Sequence, residues 1–298
     1  MKIARFNGGK IGVVIDDMVH DITVAAGVDA QEWPPVGPVR LIADFAQKRP
    51  LIEKAIANAE RHKLADVKLE TPIPWPNKLI AIPVNYHAHA LEMSSPAISR
   101  NGGFFVLASS SLSGASEPIV LPYLPGRQIH HEAELAIIIG KRCRNVTAEE
   151  ALDHVFGYAC LLDITVRGKQ ERAIRKSYDT FTPVGPYIVT SDEVGEPDDL
   201  QVRLWVNDRI RQDANTSKMI LNVRETVAMC SAVMTLEPGD IIASGTAEGV
   251  GPIEAGDTIR IEIDRVASMS IAVHQGEIGG NIAIPTHLPQ TTAQGIPT

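Results

Sequence analysis

Apolar and polar positions alternate through MKIARFNGGKIGVVIDDMVHDI and break at Asn7-Gly8-Gly9, a pattern that predicts an opening β-hairpin. Helical spacing takes over in VRLIADFAQ and LIEKAIANAERHKLA. The proline-rich TPIPWPNK, Thr71 to Lys78, then reads as a linker. Beyond it KLIAIPVNY, EAELAIIIGK, ACLLDITV and QVRLWVND read as strands, and PGDIIASGTAEGVGPIEAGDTIRIEI as two more joined by glycine-rich turns. Two helices are expected among them, opened by capping boxes at Thr147/Glu150 and Asn222/Glu225. Strands dominate and do not alternate strictly with helices, so the fold class is α+β rather than a doubly wound sheet. The expected division is a small N-terminal α+β module over residues 1–70, a main domain over 71–276 and a surface tail over 277–298.

One strand carries an anomaly. HHEAELAIIIG runs into five apolar residues, Leu135 to Ile139, yet Glu132 and Glu134 stand at its entrance. Side chains two apart on a strand face the same way. Asp163 repeats the problem inside ACLLDITV. A buried, unpaired carboxylate is costly or takes up a proton. A divalent ion would resolve all three acids, and carboxylate oxygens suit hard ions such as Mg²⁺, Mn²⁺ or Ca²⁺. A solvated strand edge, or pairing with Arg127, Lys141 and Arg142, accounts for the same spacing. Zinc is a poor second choice, because HExxH is absent and His130 and His131 face opposite sides of a strand. Gly245, Gly249 and Gly251 belong to no GxxxxGK[ST], and no GxGxxG follows a strand, so nucleotide binding is rejected.

Charge and composition narrow the classes further. The 298 residues carry a formal net charge of −8 with only 5% aromatics, which argues against nucleic acid or an anionic membrane as partner. No apolar run reaches the length of a membrane span, and MKIARFNGGK has no signal-peptide character. Cys143, Cys160 and Cys230 are odd in number, far apart and form no CxxC, so a reducing compartment, the cytoplasm, is expected. The small, polar segment HAHALEMSSPAISRNGG is a candidate mobile loop. Within it His89 and Glu92 are three apart and would share a face of a helical turn.

In their order along the chain, HHEAELAIIIGK, GYACLLDITVRGKQ, RKSYDTFTPVGP, VNDRIRQ, TLEPGDIIASGTAEGVGP and GDTIRIEI resemble the fumarylacetoacetate hydrolase family, and NYHAHALEM is similar to the lid of its smaller members. The resemblance implies a mixed β-roll catalytic domain, usually in a homodimer. It implies metal ligands at Glu132, Glu134 and Asp163, with Mg²⁺ (or Mn²⁺; Ca²⁺ as a further option) as cofactor. It also implies a water-activating pair at His89 and Glu92, a lysine at Lys176 and substrate contacts at Thr246 and Gln170. The implied chemistry is metal-assisted hydrolysis of a C–C bond in a 2,4-dioxo acid of the acylpyruvate type. His89, oriented by Glu92, would take a proton from water, and Lys176 would stabilise an oxyanion. Decarboxylase, hydratase or isomerase chemistry on a related 2-oxo acid starts from the same bound group and stands as the alternative. Three departures bear on the substrate: TARDxQ reads TVRGKQ with Gly168, GTPxG reads GTAEG with Ala247, and a lysine position near the lid's end holds Leu107. Loss of that lysine is expected to weaken the grip on one substrate carboxylate.

Overall fold

The protein is described here by a computed structural model covering residues 1–94 and 103–276. Its centre is the strand Ala133–Ile139, buried along its whole length. Leu135, Ile137 and Ile139 enter one hydrophobic core, and Ala136 and Ile138 enter another on the opposite face. Coverage on both faces is why this sequence reads as an unbroken apolar run rather than an alternating one. Val155–Leu162 pairs antiparallel with it on one side and Ile241–Ala243 on the other.

These strands belong to a twelve-stranded mixed sheet. Its path runs from Arg61–Lys63 through Met18–Asp21, Lys10–Ile15 and Lys2–Phe6 to Thr182–Thr190, then through Val155–Leu162, Ala133–Ile139 and Ile241–Ala243 to Leu79–Ala81 and Phe105–Val106. Lys2 and Ile3 pair with Val189 and Ile188, so the sheet continues across the division expected at residue 70. The helices Gly37–Ala43 and Phe45–Ile56 cover one face through Leu41, Ile42 and Ile52. A five-stranded sheet covers the other, in the order Arg209–Asn215, Gln201–Val206, Thr258–Ile263, Ala267–Gln275, Ile119–Leu121. Its strand Thr258–Ile263 alternates: Ile259, Ile261 and Ile263 point into the core, while Thr258, Arg260 and Glu262 are less buried. A three-stranded sheet of Thr165–Val166, Ile129–His131 and Gly251–Pro252 lies next to the entrance of the central strand.

The α+β class and the opening hairpin are as expected, with the turn at Asn7–Gly9. Two helical expectations need correction. The helix expected through LIEKAIANAERHKLA stops at Ile56, because Arg61–Lys63 pairs with Met18–Asp21 as an edge strand. The reciprocal bonds of Thr147 and Glu150 do form, but only a 3₁₀ turn, Ala151–His154, follows. The next residues, VFGYA, are taken up by strands on both sides, so sheet pairing overrides the local cap. Asn222 and Glu225 cap the helix Val223–Val233 reciprocally, as expected. The tail 277–298 and residues 95–102 of the expected lid lie outside the described residues. Among the described residues no helix is long and apolar enough to cross a membrane.

Candidate active site

The three acids meet where the two central strands end. Asp163 follows Val155–Leu162 directly, and its N–H donates to the carbonyl of Glu132 (2.9 Å) at the mouth of the neighbouring strand. Ala133 pairs with Leu162 and Glu134 with Leu161, so the register brings all three carboxylates together. All three are buried, and one oxygen from each lies within 4.8 Å of the others. The solvated-edge alternative therefore falls. Glu134 accepts a hydrogen bond from the N–H of Gly245 (2.7 Å). Asp163 Oδ1 is buried without a hydrogen-bond partner among the described residues.

Lys176, the last residue of the short helix Arg172–Lys176, enters this cluster. Its ammonium donates to Glu132 (2.9 Å), to Thr165 Oγ1 (2.7 Å) and, at very short range, to Asp163. Burial opposes ionisation of Glu132, but the charges of Lys176 and Arg167 outweigh it and hold the carboxyl down at about 2. Asp163 receives only part of that help and is pushed up to about 6, chiefly by burial. Glu134 is raised well above the usual carboxylate range by burial and then by the Asp163 charge. Burial works against the Lys176 charge, yet Asp163 and Glu132 keep its pKa above the ordinary value. Three hard oxygen donors, one of them unpartnered and two reluctant to ionise, fit a divalent cation.

His89 sits on the helix His87–Glu92 and is buried. Its Nδ1 lies 2.9 Å from Glu92 Oε2, and Glu92 Oε1 accepts from the N–H of Gly249 (3.0 Å). With Nδ1–H donated to the carboxylate, Nε2 is the basic nitrogen. Asn85 anchors the chain just before this helix: its amide donates to Leu221 O and Ser244 O (2.9 and 2.8 Å), and its oxygen accepts from Leu221 N (2.9 Å). Thr246 donates to Ala133 O (2.9 Å) and accepts from the buried Gln212 (2.8 Å). Gln212 also accepts from Ala133 N (3.0 Å), so it ties the acid-bearing strand to the Thr246 loop.

One cavity of about 290 Å³ is lined by Glu132, Glu134, Asp163, His89, Lys176 and Thr246. That is near the small end of ligand pockets, which run to roughly 300–1,000 Å³. Ile82, Pro83, Met93 and Phe105 form its apolar wall. Glu92 stands behind His89 rather than on the wall, and Gln170 is not on it: its amide oxygen accepts from Arg127 (2.8 Å). Leu107 is buried in the core under the N-terminal helices, away from the cavity. Three cations that sequence reasoning passed over, Arg167, Arg172 and Arg175, line the cavity instead. For Arg172 and Arg175 the signal was the ERAIRK segment, where the two stand three apart, as neighbours on a helix face would.

The family model for the fumarylacetoacetate (FAA) hydrolase C-terminal region matches residues 78–274. A maleylpyruvate hydrolase of Aquipseudomonas alcaligenes is 45% identical over 285 residues, 92% of this chain and 99% of that protein. The crystal structure of maleylpyruvate hydrolase from Sphingobium sp. SYK-6, in complex with manganese(II) and pyruvate, is 55% identical with a TM-score of 0.86, covering 93% of this chain and 100% of that one. An oxaloacetate tautomerase of Bacillus subtilis is 38% identical over 89% of this chain and 96% of its own length.

Proposed function

The chain belongs to the fumarylacetoacetate hydrolase family, and on that premise we propose that it hydrolyses maleylpyruvate or a closely similar 2,4-dioxo acid to pyruvate and a free acid. It is a divalent-metal-dependent hydrolase of the acylpyruvate type. The observation that carries the specific reading is one small cavity holding three converging carboxylates, a lysine and a buried histidine that is hydrogen-bonded from behind to Glu92.

In this reading Glu132, Glu134 and Asp163 hold the ion, which when bound supplies a Lewis acid for the 2-oxo-acid end of the substrate. His89 takes a proton from water at Nε2, while Glu92 fixes the ring and offsets the charge it gains. Gly249 in turn fixes Glu92. Lys176 lies beside the acids and steadies negative charge on the substrate oxygens. Thr246 orients the bound acid. Ile82, Pro83 and Phe105 shed water from the acyl portion. We assign Mg²⁺ as the working ion on the all-carboxylate donor set, with Mn²⁺ able to replace it. We further propose a homodimer working in the cytoplasm. Light scattering should give about twice the 32.2 kDa chain mass.

The test is a metal-stripped preparation given an acylpyruvate series, with released pyruvate read by a coupled assay. Activity should vanish on stripping and return with Mg²⁺ or Mn²⁺. Full turnover without metal would sink the metal assignment. The tautomerase relative supports one competing reading, so oxaloacetate keto–enol exchange is followed in parallel. Exchange without any pyruvate release from acylpyruvates would favour that reading.

A further inference from the structure

The cavity has a second charged wall. Arg172 lies one helical turn before Lys176 and Arg175 adjoins it, and both line the same cavity as the three acids. Arg175 is fixed from behind: Nε donates to Gln170 O (2.8 Å) and Nη1 to Val166 O (3.3 Å). Neither bond involves a carboxylate. The Arg172 side chain has no hydrogen-bond or ion-pair partner among the described residues. Arg127 stands behind the pair, donating to Arg167 O (2.7 Å) and to Gln170 Oε1 (2.8 Å). Of these four guanidiniums only Arg167 meets an acid among the described residues, Glu132 at 3.2 Å, and that acid is already shared with Lys176. Burial, and then the charge of Arg167, hold Arg175 below its ordinary pKa; Glu132 opposes this in part, and Arg172 and Arg127 add to it. Clustered like charges at a cavity wall are stabilised when an anion arrives, and a guanidinium's planar donors match a carboxylate.

We propose that Arg172 and Arg175 form a second anion subsite, which takes a carboxylate at the acyl end of the substrate and makes the enzyme select 2,4-dioxo dicarboxylates over neutral acylpyruvates. The inference rests on the acylpyruvate-hydrolase reading. In that reading the 2-oxo-acid end is taken up by the ion that the acid cluster would hold, and the proposal sets the acyl end against Arg172 and Arg175 on the wall of the same cavity. Arg172 is the specificity-determining residue because nothing else in the described structure neutralises it. Arg175 is a second, pre-oriented donor.

Binding tests this without turnover. Mn²⁺-loaded protein is titrated calorimetrically with 2-oxoadipate and with 2-oxohexanoate, which share a chain length and differ by the terminal carboxylate. Wild type should bind the diacid about 10–100-fold more tightly, the usual weight of a hydrogen bond to a charged group. Arg172→Gln should shrink that preference to within about 3-fold while leaving the affinities for 2-oxohexanoate and Mn²⁺ unchanged. Arg172→Lys should keep part of the preference. Equal weakening of both ligands would place Arg172 at the shared 2-oxo-acid end and overturn the proposal. So would a wild type with no diacid preference, or a preference that survives Arg172→Gln combined with Arg175→Gln. Absence of pyruvate release in the activity assay would instead count against the hydrolase reading, and the diacid comparison would still stand as measured.

Discussion

His89 and Glu134 face one cavity yet should fail in different ways when replaced. In the proposed roles His89→Ala removes the base alone, so turnover should fall about 10²–10⁴-fold while Mn²⁺ affinity holds. Glu134→Gln leaves an oxygen for the Gly245 N–H but removes the charge, so Mn²⁺ affinity should collapse. Metal loss in His89→Ala would make His89 a ligand and overturn this division of roles. The metal-free Glu134→Gln protein should melt higher than the metal-free parent, because burial and the Asp163 charge both disfavour the native carboxylate. A gain of about 1 kcal/mol would appear as roughly 2–4 °C in Tm. The pH dependence has a definite sign. Asp163 is raised from 3.8 to about 6, so the folded metal-free protein holds this proton more tightly than the unfolded chain. Its contribution to stability is full below about pH 4 and is lost as pH rises towards 6. Glu132, lowered to about 2, acts oppositely: its contribution is present above its usual 4.5 and fades as pH falls towards 2. On the proposed ligand set, bound Mn²⁺ would displace the Asp163 and Glu134 protons. The Tm gap between metal-loaded and metal-free protein should therefore widen from pH 5 to pH 7. A gap independent of pH would show that neither acid is protonated in the metal-free state.

Glycine turns, strands and short helices decide where those side chains stand. Gly249 has φ near +91°, and a Cβ there would lie 1.9 Å from the Arg211 carbonyl. Gly249→Ala must therefore shift the segment whose N–H holds Glu92. Turnover should drop on the order of 10–10²-fold while the three acids still bind Mn²⁺, as expected when a catalytic pair is misplaced. Unchanged turnover would mean that Glu92 needs no such anchor. The same scale explains what could be read from the sequence. Glu132, Glu134 and Asp163 were conspicuous because each stands in or at the edge of an apolar run, where a charge needs a reason. Arg172 and Arg175 were not, because arginines on a short polar helix look like ordinary surface. Gln212 and Asn85 were hidden by distance along the chain: Gln212 bonds Ala133 across 79 residues, and Asn85 bonds Ser244 across 159. Such contacts depend on how the sheets are assembled, and no local pattern encodes them. The Thr147 cap illustrates the converse, a true local signal overruled by the strand pairing of the residues after it.

Across the whole molecule, the N-terminal strands are part of the same sheet as the acid-bearing ones. Lys2–Phe6 borders Thr182–Thr190, which borders Val155–Leu162, so the first residues and the site share one hydrogen-bonded ladder. Calorimetry should find a single unfolding transition for both parts, and deletion of residues 1–70 should leave an exposed strand edge and an aggregating product. Two separated transitions would show that the ladder does not couple them. The placement of the site on this frame has a historical consequence. The proposed ligands of the ion, Glu132, Glu134 and Asp163, sit at the mouths of strands locked in the interior, where almost any exchange of residue damages packing. Arg172 and Arg175 sit on a short helix and are only partly buried, so exchanging them disturbs less packing. Lineages built on this frame can thus acquire a new diet by rewriting a handful of such positions, while the apparatus that grips the ion is inherited whole.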